Sequence, residues 1–73
     1  MKYESTDRDI RVGDRIHYAG MPGLIVFIIN DDSYCDRYPR EHWAYLGTGL
    51  GVEIQDGTLY HLDGPDEDLE YGD

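Results

Sequence analysis

Two glycine-punctuated segments, each with β-prone residues on both sides of a turn, bracket an aromatic stretch and constrain this chain more than any other feature. The first, 12–29, runs from Val12-Gly13-Asp14 through Arg15-Ile16-His17-Tyr18 and Gly20-Met21-Pro22-Gly23 into an unbroken apolar run, 24–29. The second, 49–62, carries Asp56-Gly57 between Val52-Glu53-Ile54 and Leu59-Tyr60-His61. Each has the local pattern of a hairpin. In a chain of 73 residues, two hairpins leave little room for anything else.

The pattern also suggests which side chains face inward. Within 15–18, Ile16 and Tyr18 share one face while Arg15 and His17 share the other. Gly20 to Gly23 is expected to interrupt the ladder, because Pro22 has no N–H and the glycines release φ. The run 24–29 is apolar on both faces and so is expected to be a central strand. Pro39 forbids a regular helix through 30–42, although one helical turn fits around 40–44. Gly47, Gly49 and Gly51 alternate, leaving one face bare for a sharp bend or for close approach of a ring or another backbone.

With Asp56-Gly57 as a two-residue turn, Ile54 opposes Leu59 and Val52 opposes His61. That register puts Val52, Ile54, Leu59 and His61 inward, and Glu53, Gln55, Thr58 and Tyr60 outward. Leu62 breaks the alternation and requires a bulge or a strand crossing. Residues 1–10 read as a flexible lead-in, 11–63 as the β domain, and 64–73 as an acidic C-terminal tail in which Leu69 can dock. The expected fold is all-β: a small antiparallel barrel or strongly bent sheet of four to five strands, with at most one short helical turn.

Val12-Gly13-Asp14-Arg15-Ile16, followed by Gly20 to Gly23 and Leu24-Ile25-Val26, resembles the opening hairpin of SH3-like barrels and KOW-type modules. The resemblance covers about twenty residues and implies a small SH3-like barrel. The chain lacks the basic surface of KOW modules and the "ALYDY" opening of eukaryotic SH3 domains. In size, acidity and strand pattern it also looks like small bacterial toxin-immunity proteins, which implies a toxin as partner.

Charge narrows the function classes. The net charge is −10, and all six basic residues lie within 1–40. From Glu41 onward there are nine acids and no Lys or Arg. Such a surface repels nucleic-acid phosphate and anionic lipid, and it steers a basic partner inward. The same acidity also serves solubility alone. A domain this small buries only roughly 60% of its unfolded surface, and the single cysteine, Cys35, permits no internal disulfide. A reducing, cytoplasmic setting is expected, with no leader and no apolar run long enough to span a membrane.

No catalytic constellation can be defended. Cys35 has His17, His42 and His61 as conceivable bases but no local motif around it. One Cys and three scattered His lack the paired spacing of a zinc site, and 30–36 lacks the glycine and closing glutamate of a calcium loop. Gly47-Thr48-Gly49-Leu50-Gly51 is followed by a strand and acids rather than by the helix start or Lys of a phosphate loop. No metal and no cofactor are therefore expected.

What remains is aromatic. Tyr34, Tyr38, Trp43 and Tyr45 fall within twelve residues, interleaved with Asp36, Arg37, Arg40, Glu41 and His42. Rings with a polar handle suit half-wet positions and binding hot spots, and equally suit capping the open end of a small barrel. The leading expectation is a non-enzymatic module that masks a basic protein surface, as an immunity or inhibitor protein. Its contacts would come from Glu41, Glu53, Asp56 and Asp63, with Tyr34, Tyr38, Trp43 and Tyr45 as the aromatic component. An SH3-like module taking a cationic or Pro-rich peptide or a small ligand in an aromatic groove is the second expectation. An oligomer-forming structural domain is the third.

Overall fold

The computed structural model describes residues 1–72 and shows one antiparallel sheet of five strands. The strands are β1 (Arg15–Tyr18), β2 (Met21–Ile28), β3 (Leu50–Ile54), β4 (Leu59–Leu62) and β5 (Leu69–Tyr71), in the spatial order β4-β3-β2-β1-β5. Among the described residues β4 and β5 do not pair, so the sheet is open: the strands expected from sequence form, and closure into a barrel does not. One short helix, α1 (Arg40–Trp43), continues into a 3-10 turn, Ala44–Leu46. No described helix is long and apolar enough to cross a membrane.

The β1–β2 hairpin is tighter than the sequence suggests. Tyr18 pairs with Met21 across a two-residue turn, Ala19-Gly20, both at positive φ (51° and 83°). That is the geometry whose twist matches flanking strands. Met21, Pro22 and Gly23 therefore belong to the ladder, opposite Tyr18, His17 and Ile16, instead of interrupting it. Proline is tolerated because the second pair of a two-residue hairpin is a non-hydrogen-bonded one. Toward β3, Pro22 needs only its carbonyl, which accepts from the Gln55 N–H at 3.0 Å.

β2 is central, as its two apolar faces suggest, but a bulge adds a second reason for the unbroken run. The β2–β3 register shifts between Ile25 and Phe27. Ile25 opposite Val52 and Ile28 opposite Leu50 join the main core, whereas Phe27, opposite Gly51, lies on the other face. An extra residue in one strand reverses the alternation beyond it.

The β3–β4 hairpin corrects the expected register by one residue. Val52 pairs with Tyr60 and Glu53 with Leu59. The turn holds three residues, Gln55-Asp56-Gly57, closed by Gly57 N–H to the Ile54 carbonyl (2.8 Å) and Ile54 N–H to the Thr58 carbonyl (3.0 Å). Gly57 sits at φ 92°, the left-handed position such loops place at the strand re-entry. A one-residue slip exchanges the two faces. Tyr60 and Leu62 now pack against the core, while His61, expected inward, is exposed. The anomaly at Leu62 disappears without a bulge in β4.

The core gathers Ile16, Ile25, Ile28, Leu50, Val52, Ile54 and Leu69 on one face, with Tyr3 and Ile10 laid against them. The stretch 1–10, expected as a flexible lead-in, thus supplies two fully buried side chains. Tyr3 donates its hydroxyl to Asp14 Oδ2 at 2.7 Å, and the same oxygen accepts the Arg11 N–H at 3.0 Å. The Tyr71 ring meets Tyr3 edge-on at 5.7 Å, with the Arg8 guanidinium 4.1 Å above the Tyr71 ring. Within 64–73, expected as an acidic tail, Leu69 docks as anticipated and β5 pairs with β1. Asp73, the last residue of that stretch, lies outside the described residues.

Candidate functional site

The face of the sheet opposite the core is covered over only part of its area. Pairing places Arg15, Leu24, Glu53 and Leu59 in one row across β1 to β4, and Phe27, Gly51 and His61 in another. The connection between β2 and β3 folds back over the second row. Its rings close around Phe27, which is completely buried. Trp43 stacks on Phe27 at 5.2 Å and 20°, Tyr34 at 6.3 Å and 22°, and Tyr38 tilts against both Phe27 (6.1 Å) and Trp43 (5.6 Å). Gly51 provides the floor: a Cβ there would lie within 2.7 Å of three Phe27 ring atoms. The bare glycine face expected from sequence is therefore used at Gly51 by a ring. At Gly49 it is used by the Leu62 carbonyl and the His61 ring.

Glu53 stands at the boundary between the covered and open areas. Its carboxylate accepts the Tyr38 hydroxyl at 2.9 Å and the Arg37 guanidinium. The Tyr38 bond and then the Arg37 bond hold its carboxyl below the usual carboxylate range. Burial, then the bond to Glu53, pushes the Tyr38 hydroxyl up. The pair joins the aromatic cap to β3 and leaves Glu53 electrically compensated.

Beyond Glu53 lies an uncovered groove of about 470 Å³, lined by Arg15, His17, Pro22, Leu24, Glu53 and Gln55 among others. Leu24 is exposed in its floor. The alternation in 15–18 already placed Arg15 and His17 on one face. Leu24 and Pro22 carried no such signal, because the run 24–29 looks uniformly apolar and 20–23 looks like a break.

The residues singled out in the sequence thus divide. Tyr34, Tyr38 and Trp43 come together around Phe27, and Tyr38 meets Glu53. Tyr45 does not join them and is 79% exposed just past α1, which carries the exposed Glu41. Asp56 sits at the tip of the β3–β4 turn, where its carboxylate accepts the Thr58 N–H at 2.9 Å. Asp63 is exposed beyond β4. Nothing in the residue pattern marked Phe27 as the hub of the cap, or Arg37 as the partner of Glu53. Cys35 is a partly buried free thiol whose backbone forms an antiparallel bridge with Tyr38.

A separate aromatic pair lies at the β5 side. Tyr18 and Tyr60 tilt together at 5.3 Å. Burial, followed by the nearby carboxylates of Asp66 and Asp68, pushes the Tyr18 hydroxyl up. The Asp68 carbonyl also accepts the Ala19 N–H at 2.9 Å, which holds this acidic loop against the β1–β2 turn.

Ion pairing sharpens the charge asymmetry. The three salt bridges among the described residues are Lys2–Asp9, Arg37–Glu53 and Arg40–Asp32. They consume three cations and only one acid from the C-terminal half, Glu53. Glu41, Asp56, Asp63, Asp66, Glu67, Asp68 and Glu70 have no cationic partner among the described residues. No protein-family model, curated protein or solved structure matches this chain.

Proposed function

We propose that this chain is a non-enzymatic binding module that covers a basic surface on another protein, in its sharpest form as an immunity or inhibitor protein. The observation that carries this reading is the uncompensated acid segment Asp63, Asp66, Glu67, Asp68 and Glu70, held in place by β5 and flanked by the Tyr18–Tyr60 pair. Isolated carboxylates at the surface of a small domain repel one another and lower its stability, so their concentration on one edge suits a cationic counterpart. Tyr34, Tyr38 and Trp43 have a narrower role here than direct contact with the partner. Those rings build the cap on Phe27, and Tyr45 and Glu41 form its exposed fringe.

Capture from a native lysate at low and at raised salt tests the proposal. The wild-type chain retains a partner with a basic surface at low salt, and raised salt releases it. Glu67→Lys combined with Glu70→Lys sharply weakens capture at low salt without unfolding the domain, since both side chains are exposed and neither holds the fold together. Undiminished retention of the same partner by that double variant would sink the assignment.

A further inference from the structure

We propose that the open groove beside Glu53 is a binding site for a small monocarboxylate with an apolar body. The carboxylate would sit on Arg15 and the hydrocarbon on Leu24 and Pro22. The groove adjoins the acidic edge, where Glu70 stands opposite His17, but the ionised side chains in its own lining are Arg15 and Glu53. Arg15 lines one wall, and its side chain has no ion pair or hydrogen bond among the described residues. On the opposite wall Glu53 is already bonded to Arg37 and Tyr38. Within a protein of net charge −10, this groove therefore holds an uncommitted guanidinium facing a carboxylate whose charge is compensated. Such a pairing selects a single negative group on the Arg15 side.

The remainder of the groove selects the rest of the ligand. Leu24 is one of two large apolar side chains left exposed among the described residues, and it lies between Arg15 and Glu53 in the same cross-strand row. Pro22, opposite His17, extends that apolar floor. A volume of about 470 Å³ falls within the range of small-molecule sites, which are mostly apolar with a few fixed polar groups. Guanidinium is the side chain suited to bidentate carboxylate recognition. A single charge beside a short apolar floor fits a compact free acid better than an extended peptide.

Octanoate, octanamide and octylammonium, titrated into isotope-labelled protein and followed by amide chemical shifts, test the assignment. Octanoate is expected to give saturable shifts at Arg15, His17, Leu24 and Gln55, with weak or no shifts from the amide and the ammonium. Arg15→Gln, at an exposed side chain without bonds among the described residues, is expected to bind octanoate roughly tenfold more weakly, the loss of one charge-assisted contact. Leu24→Gln weakens octanoate as well, and thermal unfolding of both variants verifies that they fold. Equal octanoate binding by Arg15→Gln, octylammonium binding as tightly as octanoate, or no saturable shift at these positions would overturn the proposal. Tighter binding of the carboxylate-free peptide acetyl-alanyl-leucinamide than of octanoate would also overturn it.

Discussion

Gly51→Ala isolates the packing that builds the aromatic cap. The new Cβ would lie within 2.7 Å of three atoms of the Phe27 ring, so the ring must move. It has nowhere to go: Trp43 and Tyr34 stack on it, Tyr38 leans against it, and no part of it reaches solvent. Overpacking a well-filled site costs about 1–3 kcal/mol, and the absence of an escape route places this substitution in the upper half of that range. A domain of this length has a total stability of roughly 4–11 kcal/mol, so about 2–3 kcal/mol is a substantial share. With about 4–8 °C per kcal/mol for a domain of this size, the melting temperature falls by roughly 10–20 °C.

Thermal and urea unfolding, followed by Trp43 fluorescence and near-ultraviolet circular dichroism, measure the loss. Phe27→Leu in the same chain removes the clashing ring atoms, so the double variant recovers about 1 kcal/mol or more relative to additivity. Gly64→Ala is the control: nothing lies within 4 Å of the point its Cβ would occupy, and it changes stability by less than about 0.5 kcal/mol. A Gly51→Ala protein as stable as the wild type, to within about 0.5 kcal/mol, would refute the claim that Phe27 is locked between the sheet and the three rings.

Tyr3→Phe removes the bond to Asp14 and costs about 1–2 kcal/mol in urea unfolding. Burial first, and then the Asp14 bond, raises the Tyr3 hydroxyl well above its ordinary value, so folding stability holds below about pH 10 and falls as pH rises further; Tyr3→Phe removes that alkaline loss. Glu53 behaves with the opposite sign. Its lowered carboxyl stabilises the fold above about pH 4.3, and this contribution is lost as pH falls through the lower folded value. Glu53→Gln flattens that part of the acid stability curve while costing less than about 1 kcal/mol at neutral pH, because Arg37 is exposed and the pair is screened. Gly57→Ala places a side chain at φ 92° and costs about 1 kcal/mol by thermal unfolding, with no steric neighbour to add to it.

Strand-forming stretches were legible because their signals are local. The alternation in 15–18, the apolar run 24–29 and the β-branched residues of 52–54 all coincide with observed strands, and the bare Gly51 face does meet a ring. What escaped depends on one-residue differences or on partners far along the chain. Asp56-Gly57 fits a two-residue turn as readily as the last two residues of a three-residue one, and only the cross-strand bonds of Ile54 distinguish them. Tyr3 and Ile10 stand among charged neighbours with no periodicity, because each is buried by distant strands instead of by its own segment. β5 is masked by Asp66, Glu67, Asp68 and Glu70, whose charges signal a solvated tail while Leu69 and Tyr71 alone face inward. At the candidate site, the ring cluster was visible as composition, but its centre, Phe27, lay hidden in a run that a bulge divides between two faces.

The central claim is that the carboxylates of the 63–70 edge steer a basic protein onto this chain. The most direct measurement is the association rate constant with the captured partner as a function of ionic strength, for the wild type and for Glu67→Lys with Glu70→Lys. Electrostatic steering predicts a wild-type rate that falls steeply with added salt and a variant rate that starts lower and hardly responds, while dissociation changes little. An association rate independent of salt in the wild type, or the same salt dependence in the variant, would contradict it.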